Sequence, residues 1–236
     1  MSSEAPVYRN PEFDGYAEDY DAALRKGLAV SGESKEYFAE RRVEWLGECL
    51  GRIGYRAGAI ADFGCGTGTA TPYLLKLPGA KSVLGLEVSA ESIKIAERLH
   101  GSANSRFELT GKYRPEGNLD LAFCNGVFHH IRPSDRNGAV KYVFEMLRTG
   151  GLFSLWENNP WNPGTRYVMS RIPFDKEAVM LSYLEAQGLL GNAGFEILRS
   201  DFLFIFPRAL KFLRPLERLV TSLPLGAQYQ VLARKR

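Results

Sequence analysis

The sequence has few cysteines and no long hydrophobic run. Cys49, Cys65 and Cys124 are its three cysteines, and their odd number and wide spacing exclude both a disulfide framework and a zinc pattern. No apolar stretch is long enough to cross a bilayer. The first residues also lack the basic start and apolar core of a signal peptide. We therefore expect a cytoplasmic protein with no membrane span and no metal site.

An excess of either charge is also missing. The formal net charge of +3 on 236 residues is too small to indicate a nucleic-acid partner, and we expect none. With 45% hydrophobic and 24% charged residues, the composition is typical of a soluble globular protein. The length suits one large domain or one domain with an appendage, and nothing in the composition indicates an oligomeric state.

Beyond about residue 35, short apolar segments alternate with segments of helical periodicity. This alternation predicts an α/β fold with a mainly parallel sheet that helices cover on both faces. The predicted helices cover residues 36–50 and 176–194, and others begin near Pro72, Ser89 and Ser134. The predicted strands are AIADF, SVLGLEV, SRFELT, LDLAFCN, LFSLWEN, FEILRSDFLFIF and AQYQVLARK.

The first 35 residues lie outside this alternation and are rich in tyrosine, acidic residues and glycine. We predict that residues 1–35 form an N-terminal arm or lid and that residues 36–236 form one domain. A lid that closes over a site excludes water from it. We expect Tyr16 and Tyr20 of this arm to contact the substrate when the arm closes.

In ADFGCGTG, residues 61–68, glycine occupies every second position from Gly64 to Gly68, and Asp62 precedes these glycines. A strand, a glycine turn and a helix bring backbone amides close to a nucleotide at the carboxyl end of a parallel sheet. A dinucleotide-binding turn requires a third glycine at position 69, where this sequence has Thr69. An acidic residue before the turn suits a ligand with an ammonium group better than a pyrophosphate.

Glu87 ends the second predicted strand, about 20 residues after the glycine turn, which is close to the spacing of a ribose-binding acid. A carboxylate there can accept hydrogen bonds from both ribose hydroxyls. A nucleoside with a cationic tail and no phosphate would offer an ammonium group to Asp62 and ribose hydroxyls to Glu87. S-adenosylmethionine is such a molecule.

Four segments between residues 59 and 157 resemble class I S-adenosylmethionine-dependent methyltransferases of the small-molecule type in order and spacing. They are ADFGCGTG, LGLEVSAESIKIA, LDLAFCNGVFHHI and LRTGGLFSLWE. The resemblance implies a doubly wound, three-layer αβα sandwich whose seven-stranded, mainly parallel sheet has an antiparallel last strand. It also implies S-adenosyl-L-methionine as the cofactor.

The resemblance and the strand ends together predict the cofactor contacts, with Cys65 as a small filler of the turn rather than a nucleophile. The contacts are Asp62, Gly64, Cys65, Gly66, Gly68, Glu87, Val88, Asn125 and Gly126. Many members of the family carry an acidic residue after the third strand that meets the adenine amino group. This sequence has none there, so Thr110, Gly111 or backbone atoms are the expected adenine contacts.

CNGVFHHI follows the fourth strand and therefore lies beside the methionine end of the cofactor. His129 or His130 is a candidate general base, because imidazole titrates near neutral pH. As neighbours in sequence, the two rings are expected to point in different directions. A structural role for both histidines is an equally open alternative.

NNPW, residues 158–161, resembles a motif of methyltransferases that act on the amino groups of bases or glutamine. That motif follows the fourth strand, whereas NNPW follows the fifth, so we reject nucleic-acid amino methylation. Glu157, Asn158 and Asn159 are candidates for binding a polar group of the substrate. A loop stiffened by proline for folding is the alternative.

The sequence thus predicts methyl transfer to the oxygen, nitrogen or carbon of a small-molecule acceptor. The alternatives are a non-catalytic cofactor-binding or interaction module and a nicotinamide-dependent oxidoreductase. FPRALKFLRPLERLV, residues 206–220, is basic and amphipathic. It is either a surface helix that covers the sheet or a site of weak membrane-surface association.

Overall fold

The computed structural model describes residues 27–29, 31–172 and 178–236. Its strands are β1 Ala59–Phe63, β2 Ser82–Glu87, β3 Ser105–Leu109, β4 Leu119–Asn125, β5 Leu147–Asn158, β6 Phe195–Leu203 and β7 Gln228–Lys235. They form one sheet in the order β3-β2-β1-β4-β5-β7-β6. Neighbouring strands are parallel except at β7, which is antiparallel to both β5 and β6. The predicted seven-stranded sheet is therefore confirmed.

Helices cover both faces of this sheet. They are α1 Lys35–Arg52, α2 Thr71–Leu74, α3 Ala90–His100, α4 Arg136–Met146, α5 Pro163–Ser170 and α6 Tyr183–Asn192, with 3-10 segments at Phe128–His130, Pro133–Asp135 and Arg208–Leu219. Successive residues of a strand face opposite sides of the sheet. Ala122 of β4 accordingly packs in a core with α4 and α6, whereas Leu121 packs in a second core with α1 and α2. This arrangement is the predicted three-layer sandwich.

The apolar spacing along α1 explains how this helix packs. Val43, Leu46 and Leu50 recur at intervals of three and four residues and are buried in the second core. Ser34 caps the helix, since its side chain accepts a hydrogen bond from the Tyr37 amide. Phe38, earlier in the helix, is half-buried and lines a cavity beside the sheet.

Several predicted boundaries differ from the structure. Ser134 does not cap a helix, because it lies in the 3-10 turn Pro133–Asp135 and α4 begins at Arg136. The described part of the predicted helix 176–194 is helical only from Tyr183, where Ser182 begins a capping box. The Ser89 cap of α3 is confirmed by a hydrogen bond from the Ser92 amide.

The sheet order brings the carboxyl ends of β1, β4 and β5 side by side. The segments that follow these strands therefore meet at one edge of the sheet, where ligands bind in this kind of fold. Most of the predicted arm, including Tyr16 and Tyr20, lies outside the described residues. None of the described helices combines the length and apolarity needed to cross a bilayer.

Candidate active site

The glycine turn after β1 depends on backbone conformations that favour glycine. The φ angles of Gly64, Gly66 and Gly68 are +73°, +53° and +79°. A Cβ atom at Gly64 would lie 2.2 Å from Val127 Cγ2, whereas a Cβ atom at Gly66 would have no neighbour within 4 Å. Gly64 thus allows the turn to pack against the segment after β4, and Gly66 leaves the cavity wall open.

A cavity of about 430 Å³ lies beside this turn, and two buried acceptors without partners line it. Among the described residues, three buried side-chain oxygens make no hydrogen bond: Asp62 Oδ2, Thr71 Oγ1 and Asn125 Oδ1. Asp62 and Asn125 line the cavity. Because an unsatisfied buried acceptor is costly, the site fits a ligand that donates hydrogen bonds to these two oxygens.

The electrostatics of Asp62 favour a positively charged ligand. Burial, and secondarily repulsion from Glu87, raise the pKa of Asp62 to about 7. A bound cation would stabilise the ionised carboxylate and reverse this shift. The glycine turn and the two unpaired oxygens therefore fit the ammonium end of S-adenosylmethionine. Burial also raises the pKa of the Cys65 thiol well above its usual range, which supports its interpretation as a filler.

Glu87 ends β2 as predicted, but its carboxylate contacts the turn. Oε2 accepts a hydrogen bond of 2.9 Å from the Gly66 amide, and Oε1 accepts hydrogen bonds from the amides of Val88 and Ser89. Six of the nine predicted cofactor residues line the cavity: Asp62, Gly64, Cys65, Gly66, Asn125 and Gly126. Gly68, Glu87 and Val88 lie outside this lining. The role of Glu87 towards ribose stays a prediction.

The predicted adenine contacts also lie outside the cavity lining. Thr110 is buried at the end of β3, where its amide donates to the Glu87 carbonyl and its carbonyl accepts from the Tyr142 hydroxyl. Gly111 follows with open space around its Cα. Thr110 and Gly111 thus stand beside Glu87 on the neighbouring strand, and their contact with adenine stays a prediction.

Both histidines after β4 line the cavity. They belong to the 3-10 turn Phe128–His130, and their ring centroids are 4.1 Å apart. The expectation that adjacent histidines face different directions is wrong here, because this tight turn presents both rings to the same cavity. His129 is buried, whereas His130 is half-buried.

His129 is paired with a carboxylate. Its Nδ1 lies 2.6 Å from Glu157 Oε2, and Glu157 Oε1 accepts a hydrogen bond of 2.7 Å from the Phe128 amide. Burial acts to raise the pKa of Glu157. Attraction to His129 and the hydrogen bonds from His129 and Phe128 outweigh burial, so the pKa lies below its ordinary value. Glu157 is thus an ionised partner of His129.

This pairing corrects the prediction that Glu157 binds substrate. The side chain is fully buried, uses both oxygens and does not line the cavity. The position of Glu157 in the apolar segment LFSLWEN indicates a paired carboxylate, because a charge on a buried strand requires a partner. The identity of that partner depends on the sheet order, which places β4 next to β5.

The two asparagines after Glu157 have different environments. Asn158 lines the cavity, and its Oδ1 accepts a hydrogen bond from Gln228 Nε2. Asn159 is buried outside the cavity lining, and its Nδ2 donates to the carbonyls of Pro224 and Gly226. The structure therefore corrects the substrate-binding prediction for Asn159, which instead fastens its loop to the segment before β7.

Part of the cavity wall is apolar. Its side chains include Phe38, Val168, Ile172 and Phe204. Arg42 is buried in this wall with its guanidinium 5.9 Å from the ring centroids of both Phe38 and Phe204. Arg42 Nε also donates to Gln228 Oε1, which extends a polar chain from Asn158 to Arg42.

A buried arginine that no sequence pattern singles out fixes the histidine turn. Arg136 Nε donates to the carbonyls of Phe128 and Ile131 at 3.1 Å each, and Nη2 donates to the Val179 carbonyl. The Val179 amide in turn donates to the His129 carbonyl. Nothing in the local sequence distinguishes Arg136 from an exposed arginine, because these acceptors belong to other segments.

Comparison with known proteins agrees with this geometry. Residues 61–153 match the family model described as a methyltransferase domain. These residues therefore lie in a methyltransferase domain, and the sheet around them has the fold of class I methyltransferases. Within the described residues, this domain has no group of three histidine, cysteine or acidic side chains arranged to hold a metal ion.

Relatives of the methyltransferase domain differ in the acceptors that their names state. The chain is 26% identical over 183 residues to a sterol 24-C-methyltransferase of Aspergillus fumigatus. This match covers 70% of this chain and 47% of that protein. The chain is 32% identical over 110 residues to ribosomal RNA small subunit methyltransferase C of Acinetobacter baylyi, covering 43% and 32%. The chain spans about a third to a half of the length of these curated relatives.

The fold also matches solved structures. In the complex of the Haloferax volcanii Trm112 methyltransferase activator with a methyltransferase, one chain superposes with a TM-score of 0.66 at 17% identity. The match covers 94% of this chain and 97% of that chain. At this identity the likeness shows the fold, and it extends beyond the methyltransferase domain to most of the protein.

Proposed function

We propose that the chain binds S-adenosylmethionine at the glycine turn and transfers its methyl group to a small organic acceptor. The observation that carries this proposal is the pair of unpartnered oxygens, Asp62 Oδ2 and Asn125 Oδ1, in the wall of the cavity. Both oxygens can accept hydrogen bonds from the ammonium group of the cofactor, and the open space at Gly66 leaves room for the cofactor beside the turn. When bound, the cofactor supplies an electrophilic methyl group on a sulfonium.

The cavity supports a small acceptor. Its volume of about 430 Å³ lies in the range of small-molecule sites. The wall formed by Phe38, Val168 and Phe204 favours an acceptor with an apolar body, and the polar chain at Asn158 offers hydrogen bonds that orient it. The name of one relative states a sterol and that of another ribosomal RNA. The apolar wall favours the first kind of acceptor.

His129 is the proposed general base where the acceptor is a hydroxyl or an amine. Because Glu157 binds Nδ1, the neutral tautomer carries its proton there, and Nε2 is the basic nitrogen. Glu157 is a positioning residue that fixes the ring and stabilises the imidazolium that forms. Arg136 and the Phe128 amide hold the turn that carries His129. Alignment of acceptor and methyl group is the other requirement of the reaction.

Transfer of a labelled methyl group tests this function. The full chain is incubated with methyl-labelled S-adenosylmethionine and fractionated small-molecule extracts, with ribosomal RNA as a parallel acceptor. We expect label in an apolar small-molecule fraction and none in RNA, and we expect the Asp62→Asn variant to label neither. Label in RNA alone contradicts the small acceptor. Tight cofactor binding without any transfer supports a non-catalytic module instead.

A nicotinamide-dependent oxidoreductase is the remaining alternative. Thr69 occupies the position of the third glycine of a dinucleotide turn, and Asp62 faces the cavity where a pyrophosphate would lie. Both features disfavour a dinucleotide. Binding of NAD by the full chain would support this alternative.

A further inference from the structure

A cluster of exposed apolar side chains lies outside the proposed active site. Six of the thirteen large apolar side chains that are exposed in the described chain fall between residues 210 and 225. They are Leu210, Phe212, Leu216, Leu219, Leu223 and Leu225, and we call them the apolar face. Phe212 is 71% exposed and Leu219 is 80% exposed. Such a concentration marks an interaction surface rather than ordinary surface variation.

Polar contacts hold the 3-10 segment that carries most of this face. No residue of Arg208–Leu219 is buried. Glu217 accepts hydrogen bonds from the amides of residues 204–206, and Arg214 forms an ion pair of 2.9 Å with Glu33. These polar contacts attach the segment to the rest of the protein. Its exposed leucines and Phe212 are therefore available to contact a partner.

The charge of this region determines which partner it fits. Residues 204–225 contain four basic residues and one acidic residue, Glu217. Arg214 pairs with Glu33, and Arg218 pairs with Glu48. Arg208 donates to the Gly32 carbonyl, and because this acceptor is uncharged, the positive charge of Arg208 is not neutralised there. Lys211 is exposed and lies among the residues of the apolar face. Exposed apolar groups with interspersed positive charge fit an anionic lipid surface.

A second segment widens the surface. Asn162 Nδ2 donates to the Leu225 carbonyl and Asn159 Nδ2 to the Pro224 carbonyl, which holds residues 159–162 beside the apolar face. Trp161 lies between these two asparagines; its ring packs edge-on against Tyr183 of α6 and is half exposed. Tryptophan rings are favoured at the headgroup level of a bilayer.

We propose that the apolar face docks on an anionic lipid bilayer. Phe212 and Leu219 enter the boundary between headgroups and acyl chains, while Arg208 and Lys211 contact lipid phosphates. This docking goes beyond the proposed methyl transfer and does not depend on it. Phe206, Pro207, Arg214 and Glu217 line the cavity on the inner side of the same region, so docking brings the cavity wall to the membrane surface.

Co-sedimentation of the full chain with lipid vesicles tests the proposal. We expect the chain to pellet with vesicles of phosphatidylcholine and phosphatidylglycerol, and to bind vesicles of phosphatidylcholine alone roughly tenfold less tightly. High salt should weaken the binding. The double variant Phe212→Ser and Leu219→Ser should lose roughly tenfold in vesicle affinity. The matched control is the double variant Ile53→Ser and Leu99→Ser, which removes exposed apolar side chains directly after α1 and within α3.

A circular-dichroism melt checks that both double variants remain folded, and Lys211→Glu provides a second probe that leaves every apolar side chain in place. The proposal is overturned if the wild-type chain stays in the supernatant with anionic vesicles, or if the control loses as much affinity as the test variant. It is also overturned if the chain is a dimer that binds no vesicles and that Phe212→Ser with Leu219→Ser converts to a monomer. In that case a second copy covers the apolar face.

Discussion

His129 Nδ1 lies 2.6 Å from Glu157 Oε2, and both side chains are almost completely buried. The two residues belong to neighbouring segments because β4 and β5 are adjacent strands with parallel carboxyl ends. Glu157 is held by the Phe128 amide on its other oxygen, so the ring of His129 has a fixed orientation at the cavity. A histidine fixed in this way is suited to taking a proton from an acceptor.

The first prediction concerns this pair. His129→Ala should lower turnover by about 10²–10⁴-fold with little change in cofactor affinity, because a positioned general base contributes on that scale. Glu157→Gln should also lower turnover and should move the acidic limb of the pH–rate profile to lower pH, because the imidazolium loses the carboxylate partner that stabilises it. His130→Ala should have a much smaller effect. Equal losses in the two histidine variants would contradict a specific role for His129.

The second prediction concerns pH and Asp62. Burial raises the pKa of this carboxyl to about 7, and a cationic ligand binds its ionised form. Affinity for S-adenosylmethionine should therefore increase as the pH rises through 7, by about tenfold between pH 6 and pH 8. Asp62→Asn should bind more weakly and lose this dependence. Calorimetric titrations at both pH values measure the effect, and a pH-independent wild type would contradict it.

The third prediction separates two glycines of the same turn. Gly64→Ala should lower the free energy of unfolding by about 2–4 kcal/mol, because its methyl group meets Val127 in a left-handed conformation. Gly66→Ala should cost about 1–2 kcal/mol for its conformation alone. Its methyl group enters the cavity, so its main effect should be weaker cofactor binding. Denaturant unfolding and calorimetry on both variants distinguish the two roles, and identical profiles would count against them.

The fourth prediction concerns Glu87. Glu87→Gln should weaken cofactor binding by about 1–3 kcal/mol, the scale of lost hydrogen bonds to a charged group. The exposed Glu91→Gln is the matched control and should bind normally. A cofactor analogue without ribose hydroxyls should bind wild type and Glu87→Gln equally. A preserved difference with that analogue would show that Glu87 acts by holding the amide of Gly66 rather than by binding ribose.

The sequence was informative where chemistry is local. Strand and helix alternation predicted the sheet, and the glycine turn with Asp62 predicted residues that line the cavity. Contacts between distant segments were not accessible in the same way. The partner of Glu157 depends on which strands are neighbours, and the three carbonyl acceptors of Arg136 lie on two separate segments. Asn159 was a candidate for substrate binding because it is a polar residue directly after the fifth strand, yet its side-chain amide donates to two backbone carbonyls.

Binding of S-adenosylmethionine in the cavity beside the glycine turn can be measured by calorimetric titration of the full chain. We predict saturable binding of S-adenosylmethionine at one site per chain, no binding of NAD, and loss of cofactor binding in the Gly66→Val variant, whose side chain fills the open wall of the cavity. The absence of heat with S-adenosylmethionine, or unchanged affinity in a folded Gly66→Val variant, would contradict the account.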